Sequence, residues 1–402
     1  MIVVVGFTAT GAGQLPARPS NRAPLGPRER EALVALLDAV DGAQRNGADA
    51  DARFPWDTHV LKSTGHKGYI PFTISLDAVA EQLKSGLLYV RAVSTRRGGT
   101  ATVEQHSELR AWMRGAQPTP RMPEAVFVGA GEMPVGGPAV GSSRRSTQAA
   151  AEGFAALELQ HRVFEREKAA EEERRKREES RDPSLFPFEE YYFFDAKSWQ
   201  GPPGSRHRIG RAIALPPGEY DLYLAFVDRA HVKDAAPVVF ERRVVVPDFW
   251  NDELRLSSLM LTSELQMLNA PLARKDQGER PYTFGLADAA PSLSLSFSAA
   301  DVLTIVYQMC NYGAPDSEVT AEYRFFRVDT ADGSRRLFNS TLPQVLKDED
   351  LPPSSPWETQ AFVMQRVPLT SFPAGRYELE VTLRDRTTRA ATKAAAMFSV
   401  KN

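Results

Sequence analysis

Two stretches of this chain carry one pattern. "LPPGEYDLYLAFVDR" spans 215–229 and "FPAGRYELEVTLRDR" spans 372–386, and the two align without a gap at an offset of 157 residues. Gly218 matches Gly375, Tyr220 matches Tyr377, and Leu222, Leu224 and Phe226 match Leu379, Val381 and Leu383. Pro and Gly shape a turn ahead of each stretch. The apolar positions then recur with period two, which sends one face of a strand into a core. Asp228-Arg229 and Asp385-Arg386 open the turn beyond, and in both copies an apolar strand follows, around 238–246 and 394–400. A late hairpin used twice implies two separate all-β units.

The neighbouring segments supply the other strands. Ahead of the first copy lie "GYIPFTISLD", "GLLYVRAVS" and "EAVFVG", then "FEEYYFFDAKSW" and "HRIGRAIAL". With the first repeat and "PVVFERRVVVPDFW" they make about seven strands, the number an immunoglobulin-like sandwich needs. Residues 251–402 supply a second set. Leu293, Leu295 and Phe297 alternate in "PSLSLSFS", and Asp332-Gly333 marks a hairpin turn. The expected fold is mainly β, with two immunoglobulin-like β-sandwich domains. The repeated tyrosines resemble the tyrosine corner of such folds, where the hydroxyl satisfies a nearby backbone group.

Three helices interrupt this pattern. After a Pro/Arg-rich linker, Pro27 opens a helix with Leu33, Leu36, Leu37 and Val40 on one face, ended by Gly42 or Gly47. Residues 106–115 read as a short helix. Residues 147–182 read as a long one, and its second half is almost wholly charged with both signs mixed. Such a half cannot bury a face and is expected to project as a docking arm. The expected organisation is 1–14 a signal-peptide remnant, 15–50 linker and N-terminal helix, 51–146 plus 183–250 the first sandwich, 147–182 the long charged helix, and 251–402 the second sandwich. The alternative for "MIVVVGFTATGAG" is a first β-strand from Ile2 to Phe7.

The repeats, together with "VPDFWNDELRLSSLML", "DVLTIVYQMCNYG" and "HVLKSTGHKGYIPFTISLD", resemble the tandem β-sandwich region of bacterial VWFA-related and GWxTD-domain proteins. The likeness covers most of 54–402. Neither a Gly-Trp-x-Thr-Asp motif nor an Asp-x-Ser-x-Ser metal-adhesion motif occurs, so an intact VWFA metal site is not implied. The resemblance implies an exported, non-catalytic protein.

Chemistry is sparse. A net charge of −2 argues against a nucleic-acid partner. No apolar run long enough to span a membrane as a helix follows the N-terminus. Cys310, the single cysteine, sits in an apolar run and reads as buried. "GAGEMPVGG" has Pro134 where a dinucleotide fingerprint needs glycine, so it reads as a turn-rich loop. The six histidines form no HxH or HExxH pair, and the carboxylates at 348–350 read as a solvated turn. No cofactor or metal is expected. The candidate contact residues are Tyr191, Tyr192, Phe193, Phe194 and Trp199, whose alternation turns one pair out of its strand. The expected function is protein–protein contact or an envelope-structural role in the periplasm or outside the cell, with another envelope protein as partner through the 147–182 helix. The alternatives are a carbohydrate-binding module that stacks a glycan on those aromatics, a hydrolase with a site assembled from distant loops, and a cytoplasmic location.

Overall fold

The computed structural model describes residues 2–6, 25–48, 53–63, 66–79, 83, 85–95, 109, 188–195, 207–229, 236–251, 253–312, 318–346 and 360–401. The expected helix over 147–182, the strand at "EAVFVG" and Trp199 lie outside the described residues, as does all of 106–115 except Leu109.

Strands dominate. In chain order they are β1 Ile2–Gly6, β2 Trp56–Thr58, β3 Leu61–Lys62, β4 Gly68–Ser75, β5 Ser85–Ser94, β6 Phe188–Asp195, β7 Arg208–Leu215, β8 Gly218–Asp228 and β9 Val238–Val246. There follow β10 Arg255–Leu256, β11 Met260–Thr262, β12 Glu264–Met267, β13 Thr283–Phe284, β14 Ala287–Ala290, β15 Ser296–Ser298, β16 Val302–Cys310 and β17 Val319–Val328. The last are β18 Arg335–Ser340, β19 Gln344–Leu346, β20 Gln360–Pro368, β21 Gly375–Asp385 and β22 Ala391–Lys401. Helix α1 is Pro27–Asn46, and α2 is the single turn Arg274–Gln277.

The likeness of the two repeats extends to the order of the central strands. In the first half, β4 pairs with β7 on one side and with the interrupted β2 and β3 on the other, facing a sheet ordered β6-β5-β8-β9. In the second half, β16 pairs with β20 on one side and with the interrupted β10 and β11 on the other. Its facing sheet contains β18-β17-β21-β22 in that order. Ile70, Phe72 and Ile74 meet Leu88, Leu222, Leu224 and Phe226 across the first core. Leu303, Ile305 and Tyr307 meet Tyr323, Leu379, Val381 and Leu383 across the second.

The outward faces of the matching sheets differ, and the sequence explains why. In β8 the outward residues Tyr223, Ala225 and Val227 are apolar, and α1 covers them with Leu33, Leu36, Leu37 and Val40. In β21 the matching positions are Glu380, Thr382 and Arg384. A face already polar needs no second layer. Helix α1 starts at a capping box in which Glu29 accepts from Gly26 N–H at 3.0 Å, and it stops before Gly47, φ +82°.

Several expectations need correction. "SLMLTSELQML" is not one strand: Thr262 accepts from Glu264 N–H and donates to Ala290 O, and the chain changes sheet there. In "PSLSLSFS" only Ser296–Ser298 is strand, because Leu295 takes φ +48° and turns the chain. The N-terminal Ile2–Gly6 is a strand and pairs with β20 of the second half; Phe7 of the strand alternative lies outside the described residues. The interrupted β2/β3 is a strand that the sequence reading does not include. The Asp332-Gly333 hairpin is present, with Gly333 at φ +72° between β17 and β18.

Candidate functional site

The two halves meet where β3 lies beside β16 and the preceding Val60 faces Ser258, just beyond β10. Lys62 N–H donates to Gln308 Oε1 at 2.6 Å, and Gln308 Nε2 returns a bond to Lys62 O at 3.3 Å. Val60 N–H donates to Ser258 Oγ at 2.9 Å, and Ser258 N–H donates to Val60 O at 3.1 Å. Tyr69 donates to Pro281 O at 2.9 Å. Paired backbone groups at a buried junction hold it in one geometry. Around them Leu61, Tyr69, Met260, Phe284, Phe362 and Met364 form an apolar cluster drawn from both halves.

Beside this junction a cleft of about 440 Å³ opens. Its floor and walls come from Asp57–Val60, Val245 at the end of β9 with Pro247 and Phe249 beyond it, Leu256–Leu259 and Leu261, Leu295, and Ala394–Met397 of β22. Its lining mixes apolar side chains with polar groups, and it is open to solvent on one side. Val245 and Met397 stand at its rim, 57 % and 36 % exposed.

The polar groups of the cleft are held by neighbours. Buried His59 has Nδ1 3.1 Å from the Tyr282 hydroxyl, which also lies 3.1 Å from Pro71 O. Burial lowers the His59 pKa; Asp57 opposes that shift and Arg242 adds to it. Burial likewise pushes the Tyr282 hydroxyl well up. Asp57 Oδ1 accepts from Arg242 Nη1 at 2.6 Å and from Thr58 N–H at 2.8 Å. The Arg242 guanidinium lies 4.2 Å from the centre of the Trp56 ring. His59 Nε2 and Asp57 Oδ2 are 3.8 Å apart, beyond hydrogen-bond reach. This arrangement can hold and orient a bound group. It does not set a base against a nucleophile. His207 Nδ1 does come within 3.3 Å of Asp77, but on an open surface.

The sequence-predicted contact residues lie elsewhere, on β6. Phe194 is buried in the first core, above Gly86, where an added Cβ would fall 1.9 Å from the ring. Tyr192 packs half-buried against the same core with Arg211 over its ring at 5.4 Å, and Tyr191 packs against the α1 layer. Phe193 is 38 % exposed, with the Arg229 guanidinium 4.8 Å from its centre and Tyr191 edge-on at 5.6 Å. The strand thus divides these rings between its two faces, with Tyr191 and Phe193 side by side on one of them. Sequence reasoning missed Asp57, His59, Ser257, Ser258, Val245 and Met397. They come from four separated segments with no shared local motif.

Among the described residues no helix is long and apolar enough to cross a membrane, and no group of three or more His, Cys, Asp or Glu could hold a metal ion. Comparison with protein-family models and with curated protein sequences finds no match to this chain.

Proposed function

We propose that this chain is a non-catalytic interaction protein of two immunoglobulin-like sandwich domains that holds a partner in the cleft at their junction. The observation that carries the reading is the cleft itself: both halves line it, and a network of paired groups fixes them around it. An immunoglobulin-like assignment is supported by the strand order and by the corner tyrosines. Tyr220 donates to Pro216 O at 3.1 Å and Tyr377 donates to Pro373 O at 2.6 Å, each tyrosine near the start of its strand, β8 or β21. The likeness to tandem sandwiches of VWFA-related and GWxTD-domain proteins adds an exported, envelope-associated role, with the 147–182 segment as a docking arm.

Affinity capture from native envelope extracts with the full chain tests this. A specific partner is expected, and its yield should fall when Val245→Glu places a charge at the cleft rim. No partner, or one insensitive to the cleft, would overturn the reading.

A further inference from the structure

The edge of β22 facing the cleft offers backbone groups that nothing described takes up. At its C-terminal end β22 accepts the short parallel strand β15: Ser399 N–H donates to Leu295 O at 2.8 Å, and Ala299 N–H donates to Lys401 O at 3.1 Å. Odd-numbered residues therefore turn their peptide groups away from β21 there. The β21–β22 register runs without a shift back to Ala391, so strict alternation carries the same outward direction to Met397, Ala395 and Lys393. Among the described residues no strand pairs with that stretch.

The chain itself leaves this edge open. Continuing backwards along β15, it would cover Met397 and Ala395. Instead Leu295 adopts φ +48°, its N–H turns back to Ser292 O at 3.3 Å, and Ser292 N–H bonds Leu261 O at 2.9 Å across the cleft. A β-unbranched but bulky residue in the left-handed region is strained, and such strain is kept only where the surroundings impose it. Leu295 lines the cleft, so the strained turn both ends β15 and creates the space beside the edge. The other end of this sheet is guarded: β18 carries Arg335 and Arg336 and a register shift opposite Phe325/Phe326, the usual protections of an exposed edge. The described stretch of β22 over the cleft has no such bulge.

From this we infer that the cleft binds an extended peptide segment of a partner, which adds to the free edge of β22 in line with β15 and seats an apolar side chain among Val245, Phe249, Leu256 and Leu295. Main-chain bonds to Ala395 and Met397 would hold the segment, and the apolar walls would select its side chains, the division of labour found in strand addition. The available edge from Lys393 to Met397 takes about five residues at roughly 3.3 Å each. Asp57 is already neutralised by Arg242, so the segment needs no charge at that point. The inference rests on the interaction reading above and names the class of its ligand.

The probe is a phage-displayed library of linear random heptapeptides selected on the full chain, with the selected sequences resynthesised for titration. Ala395→Pro removes one outward N–H while sparing the bonds to β21, a substitution that sheet edges tolerate. Val245→Glu alters the wall without touching β22. Selected peptides should be rich in apolar residues and lose at least tenfold in affinity in both variants. Residue-resolved hydrogen exchange should show their binding protecting the Ala395 and Met397 amides, which are expected to exchange readily in the free chain. A library that yields no binder, affinity that survives Ala395→Pro, or protection confined to other residues would overturn the inference. A protein captured from envelope extracts equally well by the wild type and Ala395→Pro, but lost with Val245→Glu, would leave the interaction reading standing and remove only the strand-addition site.

Discussion

The guanidinium of Arg91 meets the carboxylate of Asp41 at 2.6 Å, inside the layer between α1 and the sheet that α1 covers. Arg91 is fully buried on β5; its Nη2 lies 3.0 Å from Glu189 Oε1 of β6, and its Nε donates to the Tyr89 hydroxyl at 2.7 Å. Burial by itself would lower the Arg91 pKa, but Tyr89, Glu189 and Asp41 outweigh it and raise the value. Helix, central strand and edge strand are thus tied at one cation. Removing one partner of such a group leaves buried carboxylates uncompensated. Arg91→Met should destabilise the chain by about 3–5 kcal/mol in urea unfolding. A loss below about 1 kcal/mol, the range of exposed pairs, would show that the layer is open to water.

The corner tyrosines lead to a second expectation. Each hydroxyl satisfies a proline carbonyl four residues upstream, and each ring sits in a different core. Tyr220→Phe and Tyr377→Phe should each cost about 1 kcal/mol, the net worth of one such bond. Because the two sites share no partners, the double variant should show the sum within about 0.5 kcal/mol. A clear excess over the sum in paired denaturation curves would mean that the cores unfold as one coupled unit.

How far the sequence carries this fold depends on distance along the chain. The hairpins around Tyr220 and Tyr377 were legible because turn residues and period-two apolar positions lie within fifteen residues. The position of α1 was half-legible. Its own apolar face is plain, but its partner is visible only in "EYDLYLAFVD", which is apolar on both faces where "RYELEVTLRD" is not. Comparing the two repeats position by position, outward face included, predicts a covering layer on the first copy alone. The pairing of β1 with β20, the parallel β15–β22 pair and the cleft join residues from about one hundred to more than three hundred positions apart and leave no periodic trace. At Leu295 the alternating pattern is present and misleads, since a turn imposed by distant hydrogen bonds overrides it.

His59 gives the chain a pH dependence whose sign is set. A histidine in the unfolded chain titrates near 6.5. In the folded chain, burial beneath Tyr282 lowers that value. Between the folded value and about 6.5 the unfolded chain binds a proton that the folded chain refuses, so stability falls as pH drops through about 6.5. Asp57 at 3.8 Å softens the effect and Arg242 restores part of it. Thermal unfolding from pH 7 to pH 5 should therefore fall more steeply for the wild type than for His59→Gln. Parallel profiles would show that His59 is protonated as readily folded as unfolded.

Cys310 is buried on β16, and burial pushes its thiol up to about 12, although Lys62 acts in the opposite direction. The thiolate is the reactive form. A disulfide reagent at pH 8 should leave the native chain unmodified and titrate one thiol after denaturation. Prompt labelling of the native chain would mean that the junction opens around Lys62 and Asn311, which are bonded at 2.9 Å.

In the first core Gly86 and Phe194 are closely fitted, paired across β5 and β6. A Cβ at position 86 would stand 1.9 Å from Phe194 Cζ and 2.5 Å from Cε1, so the ring occupies the place of the missing side chain. Gly86→Ala must expel the ring or shift the edge strand, and overpacking of this kind costs about 1–3 kcal/mol. Phe194→Leu alone should also destabilise, since it opens space above a glycine that cannot fill it. The two losses come from one volume, so they should not add. In the double variant the new methyl occupies what the shortened side chain vacates, and its unfolding free energy should exceed the value expected from the sum of the single losses by about 1 kcal/mol or more. Strict additivity in a double-mutant cycle would place the ring elsewhere and remove the close fit that keeps Phe194 in the core and off the surface.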